Sequence, residues 1–265
     1  MNLTILLSAA LLPIAIFAGN TANPDAVELA PIPRPLEFMS DMDAPVAFDA
    51  ATKVVVDCPD ERATSWLTAH LDAWYGKDAP KAVRGSSALQ LRNSDEAYAV
   101  RADPSGVTIA ARSLAGVRWA AYSLRQVAIA KRGTFKTSGR LLPTLSISDA
   151  PHLKFRGIHL CWFPELRTAQ VERAIRLAAL MKFNYVVLEP WWSWPGAKMT
   201  KSEVRRLVAL GQDLGVTLIP QIAAFGHAGA SRTSTLKHSV LDLHPEYEPL
   251  FEPGGWNWCL TNPET

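Results

Sequence analysis

Residues 153–230 read LKFRGIHLCWFPELRTAQVERAIRLAALMKFNYVVLEPWWSWPGAKMTKSEVRRLVALGQDLGVTLIPQIAAFGHAGA, and this stretch decides the fold. Arg156 to Cys161, Tyr185 to Leu188 and Val216 to Ile222 are short runs rich in β-branched or apolar residues, separated by two stretches of helical period. The alternation is βαβαβ, so the strands are expected to be parallel. In the first helix Thr168 can cap the N-terminus, and Val171, Ile175, Ala178, Ala179 and Met181 or Lys182 form the buried face, with Arg173 and Arg176 outward. In the second, Thr200 and Glu203 make a capping box, Val204, Leu207, Val208, Leu210 and Leu214 form the apolar stripe, and Gly215 ends the helix in a left-handed turn.

Parallel strands covered on both faces need continuous apolar sequence, which YVVL and VTLI supply, joined by right-handed crossovers. The pattern leaves open whether the sheet stays flat or closes into a barrel. Polar and aromatic residues collect just past the strand ends: Trp162 and Glu165, then Glu189 with Trp191, Trp192 and Trp194, then His227. In a (β/α) barrel that face carries the active site.

Arg156-Gly157, Lys182-x-Asn184, and Ile219-Pro220 followed by Gly226-His227-Ala228 resemble the first three βα units of the family 20 glycoside hydrolases, the β-N-acetylhexosaminidases. Ser148-Asp149-Ala150-Pro151 is similar to that family's approach to its barrel, and Leu260-Thr261-Asn262-Pro263 extends the likeness downstream. The resemblance implies an α/β chain with a small α+β accessory domain and an incomplete (β/α)8 TIM barrel of about three βα units. It also implies cleavage of terminal N-acetylhexosamine, with the substrate's acetamido oxygen attacking the anomeric carbon. No cofactor and no metal are implied.

The chain departs from the family at the strand ends. Cys161 stands where an aspartate usually ends the first strand, Val187, Leu188, Glu189 and Pro190 followed by Trp191 and Trp192 stand where the family usually has a histidine-rich strand followed by paired aspartates, and Gln221, Ala223 and Phe225 stand where it has a Glu-x-Asp segment. The family's adjacent Asp-Glu pair follows a fourth strand. Here the adjacent acidic pairs Asp60-Glu61 and Asp95-Glu96 fall in the first domain, so the catalytic pair is expected to be absent and the chain to be a truncated product without turnover. An open three-stranded sheet would leave apolar faces uncovered, which points to insolubility or a complementing chain.

By resemblance His227 would hydrogen-bond the catalytic acid, and Arg156 would grip sugar hydroxyls. A charge on an apolar strand needs a partner, so a structural ion pair is the alternative for Arg156. Glu189 is the best-placed acid for substrate, and Trp191 and Trp258 are the aromatic candidates for stacking on sugar rings; the other reading is that loop tryptophans pack loops onto the sheet. Asp149 reads as a turn residue. A metal hydrolase is poorly supported, because no histidine or acid pair has helical ligand spacing.

Across the whole chain of 265 residues, 48% hydrophobic composition suffices for a core, and a net charge of +2 gives no footprint for nucleic acid. Leu3 to Phe17 is apolar and small residues follow, which reads as a signal peptide in 1–22 and an exported, periplasmic or extracellular protein, although no positively charged side chain precedes the run. Proline-bearing residues 23–42 read as a linker, 43–148 as the accessory domain and 149–265 as the barrel portion. In the accessory domain, strands are expected at Thr52 to Val56, Ala88 to Leu91, Tyr98 to Ala102 and Val107 to Ala110, and helices at Ala63 to Tyr75 and Ser113 to Ala130. The turn Asp103-Pro104-Ser105-Gly106 marks a hairpin. Cys58, Cys161 and Cys259 are an odd count, read as buried small hydrophobes. The rival to an enzyme fragment is a non-catalytic carbohydrate-binding or scaffold piece that docks on another polypeptide.

Overall fold

The structure, a computed structural model, describes residues 30–130, 141–162, 167–190, 200–221, 241, 244–255 and 257–264. Its first layer is a six-stranded sheet in the order β1-β6-β4-β5-β2-β3. The strands are β1 (Glu37–Ala47), β2 (Val54–Asp57), β3 (Ala82–Arg84), β4 (Tyr98–Asp103), β5 (Gly106–Ala111) and β6 (Leu141–Asp149). Alternation places Val56, Ile109, Val100 and Ile147 in one cross-strand row, and all four are buried. Helices α1 (Arg62–Tyr75) and α2 (Leu114–Ala130) belong to the same apolar core through Leu67, Leu71, Val117, Ala121 and Leu124. The expected hairpin is present, with Asp103 opposite Gly106 and accepting the Ser105 N–H at 2.8 Å.

Two sequence expectations are corrected in this layer. The third strand is Ala82–Arg84 rather than Ala88 to Leu91, because Val54, Val55 and Val56 of β2 offer a parallel edge to Ala82, Val83 and Arg84. The stretch read as a linker already contains the start of β1, which runs antiparallel to β6 from the Glu37–Ser148 pair to Ala47–Leu141. Proline spacing marked the extended backbone there but not its hydrogen-bond partner.

The second layer is the expected βαβαβ unit: β7 (Gly157–Trp162), α3 (Thr168–Leu180), β8 (Tyr185–Pro190), α4 (Lys201–Leu214) and β9 (Thr217–Pro220), with β8 between β7 and β9 and all three parallel. The capping box at Thr200 and Glu203 is formed, and Gly215 is left-handed at φ 80° and ψ 23°. At α3 the cap lies one residue earlier than expected, on Arg167. Gln170 Oε1 accepts the Arg167 N–H there at 2.7 Å, and Thr168 instead donates to Glu203 of α4 at 3.0 Å.

The buried face of α3 is the expected one, Val171, Ile175, Ala178 and Ala179. That of α4 is narrower than the sequence stripe: Leu207, Gly211 and Leu214 are buried, whereas Val204 and Val208 are exposed. Gly211 explains the difference. The Val216 carbonyl oxygen lies 2.5 Å from where a Cβ would be, so the chain folds back against this point of the helix and not against its flank.

The two layers share one apolar core, which runs from Tyr98, Val100 and Tyr122 to Ile175, Val186 and Leu207. Their joint is polar at its rim and made largely to main chain. The last carbonyls of α4 lack helical partners, and side chains of the first layer supply them: Arg118 donates to Gln212 O at 3.0 Å, Trp66 to Asp213 O at 2.9 Å and Tyr122 to Leu214 O at 2.9 Å. Gln126 does the same for Leu180 O of α3 at 2.7 Å. No helix among the described residues is long and apolar enough to cross a membrane.

Candidate functional site

Alternation along β7 and β8 sends Ile158, Leu160, Val186 and Leu188 toward the core and puts His159, Cys161, Val187 and Glu189 on the opposite face. Register pairs Cys161 with Glu189 across the two strands, and His159 lies two residues back on the same face. Both approach the Glu189 carboxylate: His159 Nε2 stands 3.0 Å from Oε2, and the Cys161 thiol donates to the same oxygen at 3.5 Å. Glu189 is 16% exposed and His159 46%, so the group opens to one side. Among the described residues this is the one cluster of metal-ligating donor types. The sequence reading singled out Glu189 but missed His159, although an i, i+2 His-Cys spacing on a strand was the signal that could have found it.

The N-terminal ends of the same strands carry a different set. Arg156 was expected to hold sugar hydroxyls; instead its guanidinium donates to Glu96 Oε2 at 2.6 Å, Lys182 O at 3.0 Å and Leu153 O at 2.6 Å. It also lies over the Trp119 ring, whose N–H donates to the same Glu96 oxygen at 2.8 Å. Arg156 therefore ties the two layers together, at the opposite end of β7 from Cys161. The same pairing gives Glu96 of the Asp95-Glu96 pair a structural role, while Asp60 of the other pair is engaged by Arg62 at 2.7 Å.

Asp149, expected to be a turn residue, is a hub of this joint. Oδ2 accepts from Tyr98 OH at 2.8 Å and from Lys182 Nζ at 3.3 Å, and Oδ1 accepts the N–H groups of Leu36 and Ala150. Burial pushes the Lys182 ammonium below its ordinary value, with the Asp149 carboxylate pulling the other way. Burial, reinforced by the charge of Asp149, pushes the Tyr98 phenol well above its usual range, so it stays a donor. Asn184 completes the corner, its side chain accepting Arg156 N–H at 2.8 Å and donating to Lys154 O at 2.7 Å.

His227 and Trp191 lie outside the described residues, as do Glu165, Trp192, Trp194 and Trp256. Trp258 is half-buried in a small separate cluster with Leu241, Leu250 and Phe251, its ring 4.3 Å from that of Phe251 and bridged to it through the backbone. Its packing is onto its own loop. None of the three cysteines forms a disulfide. Cys58 is buried as expected and its thiol is pushed up by burial, while Cys161 and Cys259 are only half-buried.

Residues 26–150 match the family model described as glycosyl hydrolase family 20, domain 2. A β-hexosaminidase of Vibrio furnissii is 27% identical over 252 residues, covering 78% of this chain and 39% of that protein. A β-N-acetylhexosaminidase of Cellulomonas fimi is also 27% identical, over 259 residues, covering 84% and 50%. The chain thus spans half or less of the length of these relatives. Among solved structures, a mutant Streptomyces plicatus β-hexosaminidase in complex with the product GlcNAc superposes with a TM-score of 0.63 at 22% identity, over 88% of this chain and 54% of that one. The Vibrio harveyi exo-β-N-acetylglucosaminidase bound to N-acetylglucosamine gives 0.61 at 21%, over 84% and 38%. The family model covers just under half of the chain, so its first layer is similar to domain 2 of the family 20 glycoside hydrolases; the curated relatives extend that similarity into the second layer, and the structural matches bear on the fold alone.

Proposed function

We propose that β7, β8 and β9 are the first three strands of a (β/α)8 TIM barrel, and that the chain is the accessory domain and opening barrel portion of an exported β-N-acetylhexosaminidase-type glycosidase. The observation that carries this reading is the polarity of the βαβαβ unit. Its strand N-termini are closed off by the first layer through Arg156 and Lys182, while Cys161 and Glu189 stand at the C-terminal ends, where barrels of this kind place substrate. The substrate class is a glycan ending in N-acetylhexosamine, with Glu189 as a polar contact and His227 and Trp191 as further candidates from the loops. Export rests on the apolar run Leu3 to Phe17.

In the substrate-assisted mechanism the acetamido oxygen is the nucleophile, and the protein must supply one carboxylate to orient it and one acid for the leaving oxygen. Both adjacent acidic pairs lie in the first layer: Glu96 is committed to Arg156 and Asp60 to Arg62, so neither can serve. The chain by itself is therefore expected to release no aryl product from an aryl N-acetylglucosaminide. It should still bind N-acetylglucosamine weakly, with Glu189→Gln lowering that affinity. Inhibitor-sensitive turnover by the purified chain would overturn the assignment of inactivity. Binding that ignores Glu189→Gln would remove this face as the sugar site.

A further inference from the structure

Cys161, standing where the family usually ends its first strand with an aspartate, shares a face with His159 and Glu189. His159, Cys161 and Glu189 each present one ligand-type atom, and those atoms lie within 4.8 Å of one another. Ligands held about 2.0–2.3 Å from a tetrahedral zinc ion stand roughly 3.3–3.7 Å apart; of the observed separations from Glu189 Oε2, the 3.5 Å to Cys161 Sγ falls within that range and the 3.0 Å to His159 Nε2 lies slightly below it. The positions are fixed by the ladder: Cys161 and Glu189 are register partners on adjacent parallel strands, and His159 projects from the same face of β7.

We propose that His159, Cys161 and Glu189 form a binding site for a divalent transition-metal ion of the zinc type, open at one coordination position. A thiolate and an imidazole among the donors select zinc-like ions over magnesium or calcium, which take oxygen ligands. Three protein ligands with the fourth side open is the arrangement of zinc sites that accept an exchangeable ligand. The half-exposed His159 marks the open side, where water or a vicinal diol of a sugar would complete the shell. Binding releases the Cys161 proton to solvent and displaces its hydrogen bond to Glu189, so affinity rises with pH. A lone His-Glu ion pair with a bystander thiol is the competing account of the same geometry, and it predicts no dependence on Cys161. The site does not rest on the glycosidase assignment, since a failure to bind metal would leave that assignment where it stands.

The test is titration of the full chain, stripped with chelator, by zinc in a calorimeter and by cobalt in an absorption spectrometer. One equivalent of zinc should bind, and cobalt should give a thiolate charge-transfer band with the intense visible bands of a tetrahedral site. Loss of an outer-shell partner costs about 10–100-fold in affinity, so loss of a ligand through Cys161→Ser or His159→Ala should weaken zinc binding at least ~100-fold and abolish the charge-transfer band. Circular dichroism of each variant confirms the fold, and Glu189→Gln provides a third, near-isosteric check. No saturable binding, or binding unchanged in Cys161→Ser and His159→Ala, overturns the proposal.

Discussion

Replacing Asp149 by alanine tests the joint between the two layers most directly. Lys182, 7% exposed at its side chain, would keep Tyr98 OH at 2.8 Å and Pro33 O at 3.5 Å but lose its only carboxylate partner among the described residues. Breaking a buried ion pair by removing one member costs about 3–5 kcal/mol, because the remaining charge is stranded. Deprotonation sets a ceiling: shedding the proton of an amine with an ordinary value of 10.5 at pH 7 costs roughly 5 kcal/mol. Asp149→Ala should therefore destabilise the chain by about 3–5 kcal/mol at pH 7.

The pH dependence has a definite sign. Folded Lys182 already sits below its ordinary value, and losing the Asp149 carboxylate lowers it further. Between the folded and unfolded values the unfolded chain binds more protons, so the stability of Asp149→Ala should climb with pH, by up to ~1.4 kcal/mol per unit, until about the ordinary value. Urea denaturation followed by tryptophan fluorescence at pH 6, 7, 8 and 9 measures this, and Lys182→Met in the Asp149→Ala background should recover most of the loss and flatten the slope. A loss under about 1 kcal/mol with no pH slope would show that the ammonium is solvated, and would refute the reasoning.

Arg156→Ala should cost about 2–3 kcal/mol, less than a fully buried pair because Glu96 keeps the Trp119 N–H, and should leave N-acetylglucosamine binding unchanged; weakened binding in a stable variant would return Arg156 to the sugar site. Thr200→Ala removes the acceptor for Glu203 N–H at 3.2 Å and should lower stability by ~1 kcal/mol in the same denaturation assay. The Asp60 carboxyl is held at about 2 by hydrogen bonds from Arg62, so its contribution is complete above the ordinary 3.8 and disappears as pH falls through 2. In Arg62→Ala a carbon-13 titration should move it back toward 3.8, and an unmoved midpoint would assign the shift to other groups.

Local signals were strong where the sequence was read correctly. The capping box at Thr200, the turn at Gly215, the face of α3 and the parallel order of β7, β8 and β9 all follow from periodicity and cap chemistry within a dozen residues. The failures involve partners distant in sequence. Glu96 lies 60 residues from Arg156 and Tyr98 51 residues from Asp149, beyond the reach of local pattern, so for Arg156 the ion pair stood only as an alternative to a sugar contact, and Asp149, a hub, read as a turn. The motif residues behind the family resemblance, Asp149, Arg156, Lys182 and Asn184, meet in one corner of the joint. Val204 and Val208 show the converse: amphipathic spacing does not say how wide a stripe the neighbours will cover.

At the polar rim of the joint the first layer holds α3 and α4 by donating to the peptide oxygens of Leu180, Gln212, Asp213 and Leu214, atoms that every amino acid possesses. Such an attachment is blind to residue identity on those helices. Substitutions can accumulate on the remote rim of the strands, where Cys161 and Glu189 now stand, without loosening the foundation beneath them. A scaffold anchored in this way lets chemistry drift while architecture holds still.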